Sequence, residues 1–234
     1  MELTKMEERE KNKSSLKNSI TFFFIFFLLA VFAVFVITSV LQVNTVAGYI
    51  CSHYASPVVE RARALIDLES FERLSKTLDP SDPYYREAQR KLHEIKEETN
   101  CLYLYTMAPE SGSLFRYIID GSDVIGGEYF SNLGAEEDLS GWDKAALRAF
   151  TTGKSQLGTV DRTESYGATL SAYEPILKGS GEVIGLIACD IDASEIVRWI
   201  RTQTLWQMAI VVLLVAVGLT AYLVVMKRVN QTFA

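Results

Sequence analysis

Two long stretches without a charged residue constrain this chain more than any other feature. The first, Ile20–Val43, has 24 residues and the second, Leu205–Met226, has 22. At ~1.5 Å per residue, such helices would be ~36 and ~33 Å long, enough to cross a hydrocarbon core ~30 Å thick. The alternative for the first stretch is a cleavable signal peptide, whose apolar core would be only roughly 7–15 residues long. The alternative for the second is a buried helix of a soluble domain. Length and absence of charge favour two transmembrane helices.

Basic residues flank both stretches on their outer sides, where Lys17 precedes the first and Lys227 and Arg228 follow the second. Lys and Arg beside a membrane helix tend to stay on the cytoplasmic side. The sequence therefore predicts a multi-pass protein of the inner (plasma) membrane, bacterial in type, with both ends cytoplasmic. The predicted segments are an N-terminal tail 1–19, a first membrane helix 20–43, an extracytoplasmic domain 44–204, a second membrane helix 205–226 and a C-terminal stub 227–234.

The predicted outer domain is acidic. Residues 44–204 contain 16 basic and 25 acidic residues, a net charge of −9 within a chain of net charge −6. Nucleic acids and anionic lipids attract basic surfaces. The charge therefore argues against either of them as the target of this domain.

The reactive residue types are few. Cys189 lies inside an apolar strand pattern and is predicted to be a buried thiol, whereas pairing of Cys51 with Cys101 stays open. His53 and His93 have no partner at ligand spacing, so neither a metal nor another cofactor is expected. The sequence has no G-x-S-x-G, H-E-x-x-H or P-loop motif, and we predict no enzymatic activity.

The outer segment changes from helix to strand along its length. Apolar residues recur at helical spacing over residues 58–78 until Pro80 and Pro83 interrupt them, and Asp82 is placed to cap a second helix that Asn100 closes. Short strands separated by turns follow, with one short helix among them that ends at Gly153. The predicted strands are CLYLYTMA, LFRYIID, LGTVDR, GATLSAYEPILK and EVIGLIACDID. Helices followed by an antiparallel sheet predict an α+β domain.

The second half of this domain resembles a known family. It has a short helix ending in glycine, an aromatic-glycine pair leading into a strand that ends in Pro-Ile, a glycine turn and an apolar last strand. The residues are Gly153, Tyr166-Gly167, Pro175-Ile176, Gly181 and the strand from Val183 to Asp192. This pattern resembles the Cache (PAS-like, PDC-type) sensor domains of bacterial transmembrane receptors.

The resemblance implies a PAS-like, five-stranded antiparallel sheet with a long N-terminal helix behind it and a ligand pocket on the other face. Such domains are the outer parts of chemotaxis receptors, sensor histidine kinases and diguanylate cyclases. Those proteins continue after the second membrane helix into a cytoplasmic output module. Because only residues 227–234 follow here, we expect either that the chain is a fragment of such a receptor or that it signals through a separate partner.

Alternate positions along the strands supply the candidate binding residues, because strand side chains point to opposite faces with period 2. Tyrosines would wall the pocket, with plain core or face packing as their alternative, and polar side chains would hold a ligand. The candidates are Tyr103, Tyr105, Arg116, Trp142, Asp161, Tyr166, Ser171, Tyr173 and Asp190.

Arg116 is the principal candidate, because a guanidinium in mid-strand can hold a carboxylate bidentately. Its alternative is an edge position, with the charge in water or paired to an acid of this acidic domain. Asp161 and Asp190 suit a ligand ammonium group, with a turn cap and a strand-end hydrogen bond as their alternatives. Trp142 faces the pocket or caps the helix that it begins.

Together these features predict a transmembrane signal receptor whose outer domain binds a small molecule, with amino acids and organic acids as candidate classes. Both terminal helices run towards the membrane without a flexible linker, and small residues such as Gly218 mark a possible helix contact. We expect a homodimer with the long first helices as its seam. The alternative function is a ligand-free, membrane-anchored interaction module that contacts an extracytoplasmic partner protein.

Overall fold

A computed structural model describes residues 2–141, 144–163 and 167–232 of the chain. The chain forms two compact units, one made of Met1–Val43 with Trp199–Ala234 and the other of Asn44–Arg198. The helices are α1 (Glu2–Ile50), α2 (Ser56–Arg63), α3 (Leu68–Thr77), α4 (Pro83–Thr99), α5 (Lys144–Thr152) and α6 (Ser194–Thr232), with a π-helical turn at Cys51–Ala55.

The first unit consists of parts of α1 and α6. Both helices are long and apolar enough to cross a membrane, and their most apolar stretches are unburied in the structure. Polar side chains join them, since Ser39 Oγ donates to Gln207 Oε1 at 3.0 Å and Gln207 Nε2 donates to Gln42 Oε1 at 2.8 Å. A Cβ atom at Gly218 would lie 2.8 Å from Phe27 Cε1. Gly218 therefore permits a close helix contact, in agreement with the small-residue prediction.

The second unit is an α+β domain built on one antiparallel sheet. Its strands are β1 (Tyr103–Ser111), β2 (Leu114–Asp120), β3 (Glu136–Asp138), β4 (Gln156–Leu157), β5 (Asp161–Thr163), β6 (Gly167–Leu177) and β7 (Val183–Asp192). Their order is β3-β2-β1-β7-β6-β4, and β5 also pairs with β6. The sheet thus has two more strands than the resemblance implies, because β3 was not predicted and the predicted strand LGTVDR forms both β4 and β5. The antiparallel α+β class is as predicted.

Helices α2, α3 and α4 pack on one face of this sheet. Gly185 on β7 makes room for α3, because a Cβ there would lie 2.8 Å from Phe71 Cε1. Gly121 does the same for α4, since its Cβ would lie 2.6 Å from Leu92 Cβ. Phe71 and Leu92 are both fully enclosed. The opposite face carries α5 and a second apolar cluster that includes Met107, Phe115, Leu139 and Ala146.

Local signals placed several boundaries correctly. Asp82 Oδ1 accepts a hydrogen bond from Tyr84 N at 2.9 Å and caps α4, which begins at Pro83. Asn100 follows α4 with φ +52°, and Gly153 follows α5 with φ +63°, so both adopt the left-handed conformation that ends a helix. These three capping predictions are confirmed.

Two segments that the sequence presents as continuous are divided. The helix predicted over residues 58–78 ends at Arg63 and resumes at Leu68, where Asp67 caps α3 by accepting from Ser70 N. The strand LGTVDR is split between β4 and β5. Gln156 pairs with Tyr173 and Asp161 with Thr169, so five steps along one segment match four along β6. The extra residue interrupts the ladder, as a β-bulge does.

All three cysteines are buried free thiols. Cys51 Sγ donates to the carbonyl oxygen of Ser171 at 3.0 Å, and Cys189 lies within β7. The prediction of a buried Cys189 thiol is confirmed, and Cys51 is not bonded to Cys101.

Candidate ligand-binding cavity

A cavity of about 220 Å³ lies on the α5 side of the sheet. We call it the tyrosine cavity, after five of its lining residues. The lining consists of Tyr103, Tyr105, Tyr117, Asp120, Ser122, Tyr129, Ser131, Glu137, Asp161, Thr169, Ser171, Tyr173 and Asp190.

Strand register explains most of this lining. Tyr103 on β1, Asp190 on β7 and Ser171 on β6 lie directly opposite one another across the sheet. The next row is Tyr105, Ala188 and Tyr173. Directly paired residues share a face, so these rows put tyrosine, carboxylate and hydroxyl groups on one surface, with only the small Ala188 between two tyrosines.

A bulge supplies two further residues from β2. Thr106 pairs with Ile119 and Met107 with Tyr117, so the register skips Ile118. Tyr117 and Asp120 are three residues apart and would face opposite sides of a regular strand. The bulge reverses the alternation between them, and both therefore line the tyrosine cavity.

Asp120 organises the loop that covers one side of the cavity. Its Oδ1 accepts from Ser122 N at 2.7 Å and its Oδ2 accepts from Ser131 N at 2.6 Å. Burial raises the pKa of this carboxyl group above its ordinary value, although the hydrogen bonds from Ser122 and Ser131 act in the opposite direction. Asp120 thus ties both ends of the segment between Gly121 and Ser131 to the sheet.

Asp190 and Tyr105 form a second buried polar pair. The Tyr105 hydroxyl donates to Asp190 Oδ2 at 3.3 Å, and only 8% of Asp190 is exposed. Burial raises the pKa of the Tyr105 phenol well above its ordinary value, and the charge of Asp190 adds to the rise. Tyr105 therefore stays protonated and donates a hydrogen bond to Asp190 in the cavity wall.

Aromatic rings close the cavity on two sides. The centroids of the Tyr105 and Tyr117 rings lie 5.3 Å apart, and those of Tyr103 and Tyr129 lie 6.3 Å apart. Tyr129 stands on the covering loop and is 56% exposed. The rings offer both apolar faces and hydroxyl groups to whatever enters.

Similar solved structures include bacterial sensory domains. The sensor domain of the V. cholerae histidine kinase DctB matches with 12% identity and a TM-score of 0.42, covering 78% of this chain and 58% of that one. The periplasmic sensory domain of the Campylobacter jejuni chemoreceptor Tlp1 matches with 9% identity and a TM-score of 0.39, covering 69% of this chain and 59% of that one. The ligand-binding domain of the C. jejuni chemoreceptor Tlp3, solved with L-valine, matches with 11% identity and a TM-score of 0.34, covering 68% of this chain and 66% of that one.

The chain thus spans less than two thirds of each of these three domains. No protein-family model matches the sequence, and no curated protein matches it significantly. Chemoreceptor and histidine-kinase sensory domains, the receptor classes that the sequence resembles, are among the structural neighbours. The sheet order and register, rather than these distant matches, define the fold.

Six of the nine residues proposed from sequence line the tyrosine cavity. They are Tyr103, Tyr105, Asp161, Ser171, Tyr173 and Asp190. Trp142 and Tyr166 lie outside the described residues. Ligand binding by any of these side chains remains a prediction.

The structure places Arg116 away from the tyrosine cavity, which corrects the expectation that it faces the pocket. It lies opposite Ala108 and Glu136 in the sheet, on the other side of β2 from Tyr117. Its Nη1 lies 2.8 Å from Glu110 Oε2 and its Nη2 lies 3.0 Å from Glu136 Oε1. The alternative of pairing with acids of the same domain therefore describes Arg116, because the neighbouring strands β1 and β3 bring glutamates to it.

Sequence reasoning missed seven lining residues: Tyr117, Asp120, Ser122, Tyr129, Ser131, Glu137 and Thr169. Thr169 could have been found, because it alternates with Ser171 and Tyr173 along β6. Tyr117 and Asp120 depend on the bulge, and the loop residues depend on how Asp120 ties down the covering segment. No local sequence pattern predicts the bulge or the position of the covering loop.

Proposed function

We propose that this chain is a transmembrane signal receptor whose extracytoplasmic domain, residues 44–204, binds a small molecule in the tyrosine cavity. Ligand binding would favour one arrangement of the domain and be sensed at a cytoplasmic output module. The observation that carries the proposal is the cavity, which gathers tyrosines, hydroxyls and carboxylates from six strands and one loop on one face of the sheet. Small-molecule sites have this composition, with aromatic walls and a few placed polar groups.

The membrane arrangement rests on helices 20–43 and 205–226 and on their basic flanks. In this proposal both termini are cytoplasmic and residues 44–204 lie outside the inner membrane. A thiol-labelling experiment tests it, because all three native cysteines are buried. Glu128→Cys lies on an exposed loop and should react with a membrane-impermeant maleimide in intact spheroplasts, whereas Lys13→Cys should react only after lysis. Labelling of Lys13→Cys in intact spheroplasts would refute the orientation.

Homodimerisation through the first helices is part of the same proposal. The basis is the length of α1, which continues as an unbroken α-helix from Glu2 to Ile50. Cysteines introduced one at a time along residues 20–43 should crosslink between copies with a helical period. Light scattering of the purified protein showing only monomer would contradict a dimer.

Ligand binding is tested by a thermal-shift screen of the detergent-solubilised chain against amines, amino acids, organic acids and neutral metabolites. A ligand that binds only the folded state raises the melting temperature. The shift should disappear in Asp190→Asn and persist in Arg116→Ala, the matched control outside the cavity. No shift with any compound would count against the receptor function.

The second candidate is the ligand-free interaction module, and one observation favours it. Val124 and Ile125 stand on the loop beside the cavity and are 57% and 52% exposed. Exposed apolar side chains at one place can mark a contact with another protein. Silence in the thermal-shift screen, together with partner capture that is lost in a Val124→Ser, Ile125→Ser double variant, would favour this alternative.

A further inference from the structure

The charge of the tyrosine cavity is one-sided. Four carboxyl groups line it, those of Asp120, Glu137, Asp161 and Asp190, and the described lining contains no lysine, arginine or histidine. A ligand carboxylate placed there would meet negative charge without a guanidinium or ammonium group to compensate it. A cationic ligand would instead be attracted at every carboxylate.

The four carboxylates differ in what they can offer a ligand. Both oxygens of Asp120 accept backbone N–H groups of the covering loop, so that residue has a structural task. Asp190 and Asp161 come from β7 and β5, the two strands that pair with β6 around Ser171 and Thr169. They therefore approach the same stretch of β6 from both sides, on the face that forms the cavity.

The aromatic lining points to the same charge. Tyrosine rings carry a negative face that attracts cations within about 6 Å of the ring centre, and aromatic cages are a recurrent site for ammonium groups. Five tyrosines surround a space whose ring pairs are 5.3 Å and 6.3 Å apart between centroids. Carboxylates and tyrosine faces are thus both complementary to positive charge.

Size limits the ligand as well. A cavity of about 220 Å³ corresponds to roughly seven water molecules at ~30 Å³ each. It would hold a compound of about that many heavy atoms.

A basic group in the adjoining cleft does not change the charge of the cavity. Lys96 lines an adjoining cleft that shares Tyr103, Ser122 and Tyr129 with the cavity. Its Nζ lies 2.8 Å from Glu97 Oε1, so its charge is already compensated. An amino acid would need its carboxylate to reach across to Lys96, and glycine betaine, which carries a carboxylate, serves as the probe for that arrangement.

We infer that the tyrosine cavity is a site for a small organic cation, an ammonium compound without a carboxylate, held by Asp190 and Asp161 and enclosed by tyrosine rings. The inference rests on the proposed receptor function and narrows it. It departs from the amino acids and organic acids that the sequence suggested.

Matched ligands isolate the charge. Choline and 3,3-dimethylbutan-1-ol have the same shape, but only choline is charged. Glycine betaine carries a carboxylate in addition to its quaternary ammonium group. Pentylamine and pentanoate compare a primary ammonium with a carboxylate on a similar alkyl chain. Isothermal titration calorimetry of the full chain in detergent, at constant ionic strength, should show binding of choline or pentylamine. The neutral, zwitterionic and anionic partners should bind at least roughly tenfold more weakly, the loss expected when one hydrogen-bonded or ionic contact fails. Which of the two cations binds more tightly tells a quaternary from a primary ammonium site.

Variants locate the site. Asp190→Asn and Asp161→Asn should each raise the Kd of the bound cation roughly tenfold or more, and Tyr129→Ala, on the exposed loop, by roughly threefold to tenfold. Glu128→Gln removes the same charge from the same loop outside the cavity and should change the Kd less than about twofold, since exposed charges are screened. Because Asp161 is only half-buried and Tyr129 is exposed, these two variants remain informative if Asp190→Asn fails to fold.

The outcomes separate the two proposals. If glycine betaine, pentanoate or the neutral alcohol binds as tightly as its cationic partner, the cation inference is overturned while the receptor function stands. The same holds if a cation binds but Asp190→Asn, Asp161→Asn and Tyr129→Ala all leave its Kd unchanged. If no compound of the wider screen binds at all, the receptor function itself fails.

Discussion

The two faces of the sheet are made by the same strands but differ in the side chains that they carry. The face under α2, α3 and α4 is closed by large apolar side chains, with glycines at Gly121 and Gly185 where helices approach the backbone. The other face is apolar near α5 but becomes polar around Asp190, where the tyrosine cavity opens. Alternation along β7 places Cys189 on the first face and Asp190 on the second.

The two faces separate packing that stabilises the fold from the proposed ligand-binding cavity. Close packing on the helix face contributes dispersion and hydrophobic energy that a polar cavity gives up. The cavity face can still hold buried carboxylates, because backbone N–H groups bond both oxygens of Asp120 and the Tyr105 hydroxyl bonds Asp190 Oδ2. Substitutions on the two faces should therefore differ in kind, with loss of folding on one and loss of binding on the other.

The largest effect is expected for Phe71→Ala on the helix face. Phe71 is fully buried against Gly185, and removing such a ring leaves a cavity that costs about 3–5 kcal/mol. Equilibrium urea unfolding of the detergent-solubilised chain, followed by near-ultraviolet circular dichroism of its tyrosines, measures the loss. Tyr129→Ala on the cavity face is the control and should cost less than about 0.5 kcal/mol. Similar losses for the two variants would contradict the assignment of fold stability to the helix face.

Asp120→Ala should give the next largest effect and qualifies the comparison, because this residue lies on the cavity face but stabilises the fold. The variant leaves the N–H groups of Ser122 and Ser131 without their acceptor, and hydrogen bonds to a charged group contribute about 1.5–3 kcal/mol each. We expect the free energy of unfolding to fall by roughly 3 kcal/mol in the same urea experiment. Asp161→Ala, a half-buried carboxylate of the same cavity, should change it by less than about 1 kcal/mol. Equal effects would show that Asp120 has no special structural role.

The sequence predicted those parts of the fold that local chemistry determines. The cap at Asp82, the helix stops at Asn100 and Gly153, and the hairpin of β1 and β2 each depend on a few neighbouring residues. Alternation along β1, β6 and β7 likewise placed five side chains on the cavity face, and Asp161 joins them from β5.

The rest depends on contacts between distant segments. Tyr117 and Asp120 reach the cavity through a bulge whose position is set by pairing with β1, and β3 brings Glu136 beside Arg116. The local sequence around a mid-strand arginine is the same whether its partner is a ligand or a glutamate of the same chain. Sequence alone therefore selected Arg116 and overlooked Tyr117, its neighbour on the opposite face.

A smaller effect concerns pH and again involves Asp120. Because burial raises its folded-state pKa above the unfolded value, the folded state holds this proton more tightly, and stability from the group falls as pH rises between the two values. The unfolding free energy of wild type minus that of Asp120→Asn should therefore fall as pH rises from below the unfolded pKa through the folded pKa. Each unit of pKa difference corresponds to about 1.4 kcal/mol. If this difference instead rises with pH, the hydrogen bonds from the two N–H groups outweigh burial in setting the pKa of Asp120.

The smallest effect is expected for Arg116→Ala, and it tests the choice between the two faces most directly. The Arg116 side chain is 27% exposed and pairs with Glu110 and Glu136 at the sheet edge, where ion pairs contribute about 0–1 kcal/mol. The variant should lower the free energy of unfolding by less than about 1 kcal/mol, and the loss should diminish with added salt. Ligand affinity should be unchanged within twofold of wild type. A Kd raised tenfold in Arg116→Ala, with the free energy of unfolding unaltered, would show that the ligand binds on the Arg116 side of β2. It would exclude the tyrosine cavity as the binding site.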